Sequence, residues 1–323
     1  MGIWRIGPDV LARGRFAVSP LTQTVAALNA LHQGHAGPGR EEWLRRHGPA
    51  YRERLAGDRV AALLVRAALR PRWLADFLVT PPHDDDRTFH DEVRRVRRTP
   101  ADVVTADLTT AAGAPLPPEL RVPDLPDRAA VLLEWVWTET VEPEWPRLRQ
   151  VFEADILSRT GRLSTGGWTA ALAGLRPGLR WLGDGRLRIN AYDNPPRDLH
   201  PEARLMFIPT VTTSGWVTWD IPHRYAVVYP ATGLLADPTP HAAADPPAAV
   251  SALIGPVRAD ILARLGEPRT TTQLAALTGH SLGSVSGHLG ILLAARLLHR
   301  RRSGRSVLYY RTSLGDDLIN PRA

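Results

Sequence analysis

Residues 255–312 read GPVRADILARLGEPRTTTQLAALTGHSLGSVSGHLGILLAARLLHRRRSGRSVLYYRT and decide the fold of the last quarter of the chain. The pattern predicts three short helices, GPVRADILARLG, TTTQLAALTG and SLGSVSGHLGILLAARLL, followed by a basic hairpin. In the third helix Val285, Leu289 and Leu292 recur at the i, i+4, i+7 spacing of a buried helical face. HRRRSGRSVLYYRT then predicts strand, turn and strand, with Gly304 at the tip.

This order of elements is that of a winged helix-turn-helix, a motif that binds double-stranded DNA. The third helix is buried on one face and enters the major groove with the other. Hydroxyls and N–H groups at the start of the second helix suit a phosphate, and arginines on the wing suit the DNA backbone or a narrow minor groove. The candidate contact residues are Thr271 and Thr272 in the second helix, Ser281, Ser284, Ser286 and His288 in the third, and Arg300, Arg301, Arg302 and Arg305 on the wing.

Two of these assignments have a structural alternative. His288 is equally well explained by helix packing or an internal hydrogen bond, since histidine is often half-buried. The wing arginines have the alternative of a solvated hairpin, but the charge distribution favours DNA. Residues 249–323 hold ten arginines and four acids, a net charge of +6 out of +7 for the chain. Such an excess in one segment is typical of a surface that meets phosphates.

Four motifs in this segment resemble the DNA-binding module of ArsR-type bacterial repressors. They are Arg258 with Ile261–Leu262, the TTTQLA helix start, Val285-Ser286-x-His288-Leu289, and GRSVLYYRT leading into a Leu-Gly-Asp helix. The resemblance covers about 70 of the 323 residues. It implies repression by default. Because a single winged helix buries little surface on DNA, we also expect a homodimer on a near-palindromic operator. An effector would then change the spacing of the two modules.

The long N-terminal part resembles that of a subgroup of these regulators from high-GC bacteria. The matching pieces are SPLTQTVAAL (19–28), DFLVTPPHDDDRTFHDEV (76–93) and RLRQVFEADILSRTGRL (147–163). This resemblance names no ligand.

The third helix departs from the family pattern. Gly287 and Gly290 stand where such regulators carry longer polar or basic side chains, and Leu293 and Arg296 where a basic residue and a glycine are more usual. Two interior glycines cost about 1 kcal/mol each relative to alanine. We therefore expect a helix that tightens on DNA, sparse base readout, and more of the affinity on the wing.

Metal sensing through thiolates is excluded because the chain has no cysteine. One metal-like cluster remains in HDDDRTFHDE, with His83, Asp86, His90 and Asp91. The favoured alternative is that Asp84–Asp86 cap a helix whose last turn carries arginines, which explains every charge without an ion. We therefore expect neither a metal nor a cofactor.

The sequence predicts an α+β protein with two domains. An N-terminal sensing and dimerisation domain, 1–245, is helical to about residue 175 and rich in antiparallel strands over 179–230, with an Ala/Pro linker at 236–249. The winged helix occupies 250–323. Periodicity predicts a short strand at 3–6, helices at 20–33, 41–56, 58–69, 87–98, 127–141 and 144–163, and strands in LRWL, GRLRIN, RLMFIPTV, WVTWD and RYAVVYP.

All ten tryptophans precede residue 220. One interpretation is a tryptophan-lined pocket for an aromatic or apolar small-molecule effector, and the favoured one is that tryptophan fills a large mixed core. Trp135 and Trp137 are two residues apart and cannot share one helical face. One of them should therefore lie at an interface or a pocket wall.

Three functions stay open on this sequence. The leading one is an effector-responsive DNA-binding regulator, and the second is an architectural DNA binder or protein-interaction adaptor that needs no effector. An enzyme with a DNA-binding tail is the least favoured, because G-x-S-x-G, G-x-x-x-x-G-K-[ST] and H-E-x-x-H motifs are absent. No signal peptide and no stretch of about 18 apolar residues is found, so we expect a cytoplasmic protein without membrane contact.

Overall fold

The computed structural model describes residues 2–36, 40–192, 194–231, 248–265, 269–303 and 306–319. The chain divides into two compact units. Met1–Phe152 and Thr165–Ala231 form the first, and the second joins Glu153–Ser164 to the chain after residue 231. Nearly all of the predicted linker lies outside the described residues.

Eight α-helices of the described chain belong wholly or partly to the first unit. They are α1 (Pro8–Ala12), α2 (Pro20–Gln33), α3 (Glu41–Ala56), α4 (Arg59–Ala68), α5 (Phe89–Arg98), α6 (Ala101–Ala112), α7 (Leu125–Val136) and α8 (Trp145–Leu172). The middle of α8 belongs to the second unit, and Gly167 interrupts the helix with φ +64° and ψ −167°. Within the described ranges no helix is long and apolar enough to cross a membrane.

The ends of α2 show why the sequence is helical there. Ser19 is the N-cap and its hydroxyl accepts a hydrogen bond from Thr22 N over 3.0 Å, with Pro20 at the first helical position. Gly34 ends the helix in the left-handed region, at φ +63°. The helix predicted for 20–33 is confirmed with these bounds.

The segment HDDDRTFHDE (83–92) leads into the first turn of α5, whose N-cap is Thr88. Thr88 Oγ1 accepts a hydrogen bond from Asp91 N (3.2 Å), and Asp91 Oδ2 accepts one from Thr88 N (3.0 Å), which is a capping box. Asp86 instead forms an ion pair of 2.6 Å with Arg95. The prediction that Asp84–Asp86 cap this helix is therefore wrong. In the described part of the chain no group of three or more residues could hold a metal ion.

The strands of the first unit form two four-stranded sheets. They are β1 (Ile3–Arg5), β2 (Arg15–Phe16), β3 (Arg180–Gly183), β4 (Arg186–Arg188), β5 (Arg197–Asp198), β6 (Arg204–Thr210), β7 (Trp216–Asp220) and β8 (Arg224–Pro230). One sheet has the order β3-β4-β1-β5 and the other β2-β6-β8-β7. The predicted α+β class is confirmed.

The central strands β6 and β8 run parallel, and so do β2 and β6. The expectation of antiparallel strands is wrong for these pairs and holds for β7 with β8. The physical reason is burial on both faces. Leu205 and Phe207 lie in one apolar cluster, and Met206 and Ile208 in another. A continuous apolar run such as LMFI is typical of a parallel strand covered on both sides.

The second unit has the element order of a winged helix. Its remaining elements are α9 (Ala248–Ile254), α10 (Pro256–Arg264), β9 (Arg269–Thr270), α11 (Thr271–Thr278), α12 (Leu282–Ala294), β10 (Leu298–Ser303), β11 (Ser306–Arg311) and α13 (Ser313–Ile319). A three-stranded antiparallel sheet, β10-β11-β9, packs beside the helices. One core contains the predicted Val285, Leu289 and Leu292 together with Ile261 and Leu262.

Candidate nucleic-acid interface

A capping box fixes the start of α11, the second helix of the motif. Thr270 Oγ1 accepts a hydrogen bond from Gln273 N (3.2 Å), and Gln273 Oε1 accepts one from Thr270 N (2.8 Å). Thr271 and Thr272 form the first turn and are half-buried. Their N–H groups precede the internal hydrogen bonds of the helix, which is the geometry that a phosphate contact requires.

The third helix, α12, presents a smooth outer face. Val285, Leu289 and Leu292 are fully buried. Apart from half-buried His288, the other residues from Leu282 to Leu292 are exposed, and most are small: Leu282, Gly283, Ser284, Ser286, Gly287, Gly290 and Ile291. A Cβ atom added at Gly283, Gly287 or Gly290 would meet nothing within 4 Å, so these glycines leave open space beside the helix.

The candidate serines of α12 fall into two roles. Ser281 is the N-cap, and its hydroxyl accepts a hydrogen bond from Ser284 N over 3.3 Å. Its exposed oxygen is thus already used by the protein. Ser284 and Ser286 lie on the exposed face, where no charged residue stands anywhere along α12. Apart from the His288 imidazole, this helix offers only hydroxyl, backbone and apolar groups for contacts with bases.

His288 is half-buried, between the core face and the outer face of α12. Its Nδ1 atom is buried and has no hydrogen-bond partner among the described residues. The internal hydrogen bond considered for this side chain is therefore not formed at Nδ1. The packing role and the DNA role both remain consistent with this position.

The wing is the hairpin of β10 and β11. Arg300 pairs with Tyr309 in the strand register, Arg301 with Leu308 and Arg302 with Val307. Arg300 is exposed, whereas the side chains of Arg301 and Arg302 and the whole of Arg305 lie outside the described parts of the structure. The hairpin thus carries three successive arginines on one strand.

Ion pairs within the second unit neutralise other arginines. Arg264 Nε lies 2.8 Å from Asp260 Oδ1, and Arg311 Nε lies 2.8 Å from Asp316 Oδ1. Both arginines are on structural elements rather than on the wing tip. Among the described residues, Arg296 on the turn after α12 and Arg300 on β10 are exposed and form no ion pair.

Arg296 occupies a backbone conformation that favours glycine. It follows α12 with φ +57°, in the left-handed region. Its N–H donates to Leu293 O, and the next residue, Leu297, donates to Leu292 O, both over 3.0 Å. This is the hydrogen-bonding of a helix end that usually takes glycine. Arginine in place of the more usual glycine therefore strains the backbone here, but the helix end still forms.

The tryptophans of the first unit divide between core and cavity. Trp4 and Trp137 are buried, and Trp137 stacks on Phe89 with 4.7 Å between the ring centroids. Trp135 is half-buried and lines a shallow surface groove, which confirms that the pair does not share one environment. Four others line a cavity of about 800 Å³: Trp43, Trp73, Trp216 and Trp219. Tryptophan therefore both fills the core and lines a cavity, and the small-molecule effector expected there stays a prediction.

One comparison with known proteins bears on this site. A family described as a helix-turn-helix domain matches residues 253–301, from α9 into β10. No curated protein and no solved structure matches the chain. The match and the geometry agree that the C-terminal unit is a helix-turn-helix domain with a wing, the class of domain that DNA-binding regulators carry.

Proposed function

We propose that this protein is a cytoplasmic transcriptional repressor of the ArsR type, from the long subgroup of high-GC bacteria. It acts as a homodimer on a near-palindromic operator. The observation that carries the proposal is the pairing of an outward-facing α12 with an arginine-rich β10 in one small domain. In this arrangement α12 enters the major groove, and the arginines of β10 reach the backbone or the minor groove.

The dimer follows from the size of a single module. One winged helix buries little surface on DNA, and α12 offers few long side chains for base readout. Specific binding at physiological salt therefore needs two modules on two half-sites. The N-terminal unit or the helices that flank the motif supply the dimer contact. An effector bound in the N-terminal unit shifts the population between dimers of different half-site spacing.

The three exposed glycines of α12 favour a second candidate, an architectural DNA binder. A helix without long polar side chains distinguishes sequences poorly, and its affinity rests on phosphates. We place this candidate behind the regulator because Ser284 and Ser286 remain exposed for hydrogen bonds to bases. In this proposal the protein has no enzymatic activity of its own.

In vitro selection from a randomised duplex library with the full-length protein separates the two candidates. The regulator predicts enrichment of one inverted repeat, and the architectural binder predicts retention of DNA without a shared sequence. Ser286→Asp, which places a carboxylate on the exposed face of α12, should abolish the enrichment. Thr109→Asp adds the same charge to the exposed surface of α6 and should leave it intact. Failure to retain any DNA would overturn both candidates.

A further inference from the structure

The first unit contains a cavity of about 800 Å³. It is bounded by α2 and the start of α3, by the turn at 70–76, and by the segment that leads into β7. Small-molecule sites in proteins usually measure about 300–1,000 Å³. The cavity is therefore large enough to enclose a ligand of several fused rings.

The walls of this cavity are aromatic. Trp43, Trp73, Tyr192, Trp216 and Trp219 all line it. The rings of Trp73 and Trp219 meet edge to face, with 5.7 Å between their centroids. Flat aromatic walls gain most from a planar aromatic ligand, which stacks on one ring while it meets the edge of another.

Three lining residues carry buried polar atoms without a hydrogen-bond partner among the described residues. They are Asn29 Oδ1, Trp73 Nε1 and Trp216 Nε1. A buried polar atom that lacks a partner costs about 1–3 kcal/mol. Two of the three are N–H donors, so they call for an acceptor oxygen. Each of these atoms has almost no surface open to the cavity, so a ligand oxygen reaches it only after the side chain turns.

The charge of the lining is positive. Among the described residues no carboxylate lies within ion-pair distance of Arg70, Arg72 or Arg176, whereas Arg40 is paired with Glu144 over 2.6 Å. Arg176 is held in place by hydrogen bonds from its Nε to Ser214 O (3.1 Å) and from its Nη1 to Ile189 O (3.3 Å). These bonds leave its positive charge without an anion.

Among the described residues of this lining, Asp76 is the single carboxylate. Burial and, to a smaller extent, the neighbouring Asp107 together raise the pKa of Asp76 to about 7. At neutral pH the carboxyl group of Asp76 is therefore only partly ionised. It does not offset the three arginines, so the cavity attracts anions.

We infer that this cavity binds a planar aromatic carboxylate. The rings of the ligand stack among Trp73, Trp216 and Trp219. Its carboxylate pairs with the positive charges of Arg72 and Arg176, and it accepts hydrogen bonds from the indole N–H groups of Trp73 and Trp216 when these rings turn toward it. The role of this ligand as the effector rests on the proposed function, whereas its binding to the first unit does not.

Isothermal titration of the full-length protein with 2-naphthoate tests this site directly. The neutral isostere 2-naphthamide serves as the matched ligand, because it keeps the rings and removes the charge. A charge-assisted hydrogen bond is worth roughly tenfold or more in affinity. We therefore expect 2-naphthoate to bind at least tenfold more tightly than 2-naphthamide. Equal affinity for the two, or no binding of 2-naphthoate, would overturn the inference.

Two variants locate the site. Arg72→Gln changes an exposed residue of the turn, and Trp216→Phe keeps a ring while it removes the buried N–H donor. Each should weaken the binding of 2-naphthoate about fivefold to tenfold. Arg72→Gln should leave the binding of 2-naphthamide nearly unchanged. Arg46→Gln on α3 and Trp135→Phe on α7 lie outside the cavity and should leave both affinities unchanged. A loss of equal size in these controls would place the site elsewhere and contradict the assignment.

The same preparation distinguishes the failure of this inference from that of the proposed function. If 2-naphthoate binds to the protein but neither promotes nor releases its complexes with DNA, the ligand site stands and its role as the effector falls. If DNA is bound selectively but 2-naphthoate is not bound, the regulator stands and the aromatic carboxylate falls.

Discussion

Thr312 donates its hydroxyl proton to the backbone carbonyl of Arg296 over 2.9 Å. Its N–H donates to the carbonyl of Leu297 over 3.0 Å. Because Thr312 follows the last wing strand and Arg296 follows α12, these bonds join the end of the wing to the end of the third helix. They fix how β10 is placed relative to the exposed face of α12.

Thr312→Val should therefore weaken the domain while its backbone bond to Leu297 is kept. The lost hydroxyl bond predicts a decrease of about 0.5–1.5 kcal/mol in the free energy of unfolding. Urea denaturation followed by circular dichroism measures it. Thr110→Val removes a hydroxyl that bonds only within its own helix, on the exposed side of α6. An equal effect of both substitutions would deny Thr312 its joining role.

Arg296→Gly should stabilise the protein by about 0.5–1 kcal/mol, because Arg296 adopts the left-handed conformation that glycine tolerates without strain. The added freedom of glycine in the unfolded chain limits the gain. Gly279→Ala is the reverse control, because Gly279 ends α11 at φ +70°. This variant should lose a comparable amount of stability. Destabilisation by Arg296→Gly would show that its side chain contributes more than its backbone costs.

Gly287→Ala and Gly290→Ala should each stabilise α12 by up to about 1 kcal/mol. Both glycines lie inside the helix, and an added Cβ meets nothing within 4 Å. Amide hydrogen exchange of α12 should slow in both variants. Gly315→Ala is the contrast: a Cβ there would come within 2.3 Å of Leu297 O, so this variant should be destabilised. Unchanged exchange in both α12 variants would contradict the account.

Because of buried Glu92, we expect the stability of the first unit to depend on pH. Its Oε2 accepts hydrogen bonds of 2.7 Å from Ser19 Oγ and from Leu21 N at the start of α2. Burial nevertheless raises its pKa to about 8, against 4.5 in an unfolded chain, so the folded protein holds the proton more tightly. The stability from this group is present below pH 4.5 and is lost as the pH rises through 8.

Glu92→Gln removes this titration and keeps an acceptor for Leu21 N. Relative to the unaltered protein it should gain on the order of 2 kcal/mol at pH 8.5 and little at pH 5. Tryptophan fluorescence reports the unfolding, because all ten tryptophans precede residue 220 and none lies in 153–164. Glu41→Gln, on the exposed start of α3, is the control and should show no such difference. A gain that is the same at both pH values would refute the titration of Glu92.

Local signals predicted most of the helices correctly. Ser19, Pro20 and Gly34 mark the ends of α2 in the sequence itself, and α3 was predicted with its observed bounds. Helix α6 was not predicted, although Val104, Leu108 and Ala111 are buried at i, i+4 and i+7. Its N-cap, Pro100, provides no side-chain cap, so the start of the helix carries no strong signal.

Long-range relationships could not be predicted in the same way. The parallel pairing of β6 with β8 depends on β7 occupying the sheet edge, although the apolar run LMFI was a usable signal. The cavity brings Asn29, Trp73 and Arg176 together from distant parts of the chain. No spacing in a single sequence indicates such a meeting, whereas the winged helix is compact in sequence and was predicted from its pattern.

Fluorescence anisotropy tests whether the winged helix binds DNA through its wing. Labelled duplex from the region upstream of the gene is titrated with full-length protein over a salt series, with scrambled duplex beside it. Arg301→Ala/Arg302→Ala is compared with Arg46→Ala/Arg52→Ala, which removes the same charge from α3. We expect selective binding. The slope of log affinity against log salt concentration should be shallower by about 2 in the wing variant alone. Equal slopes in the two variants, or no binding by the unaltered protein, would contradict DNA binding through the wing.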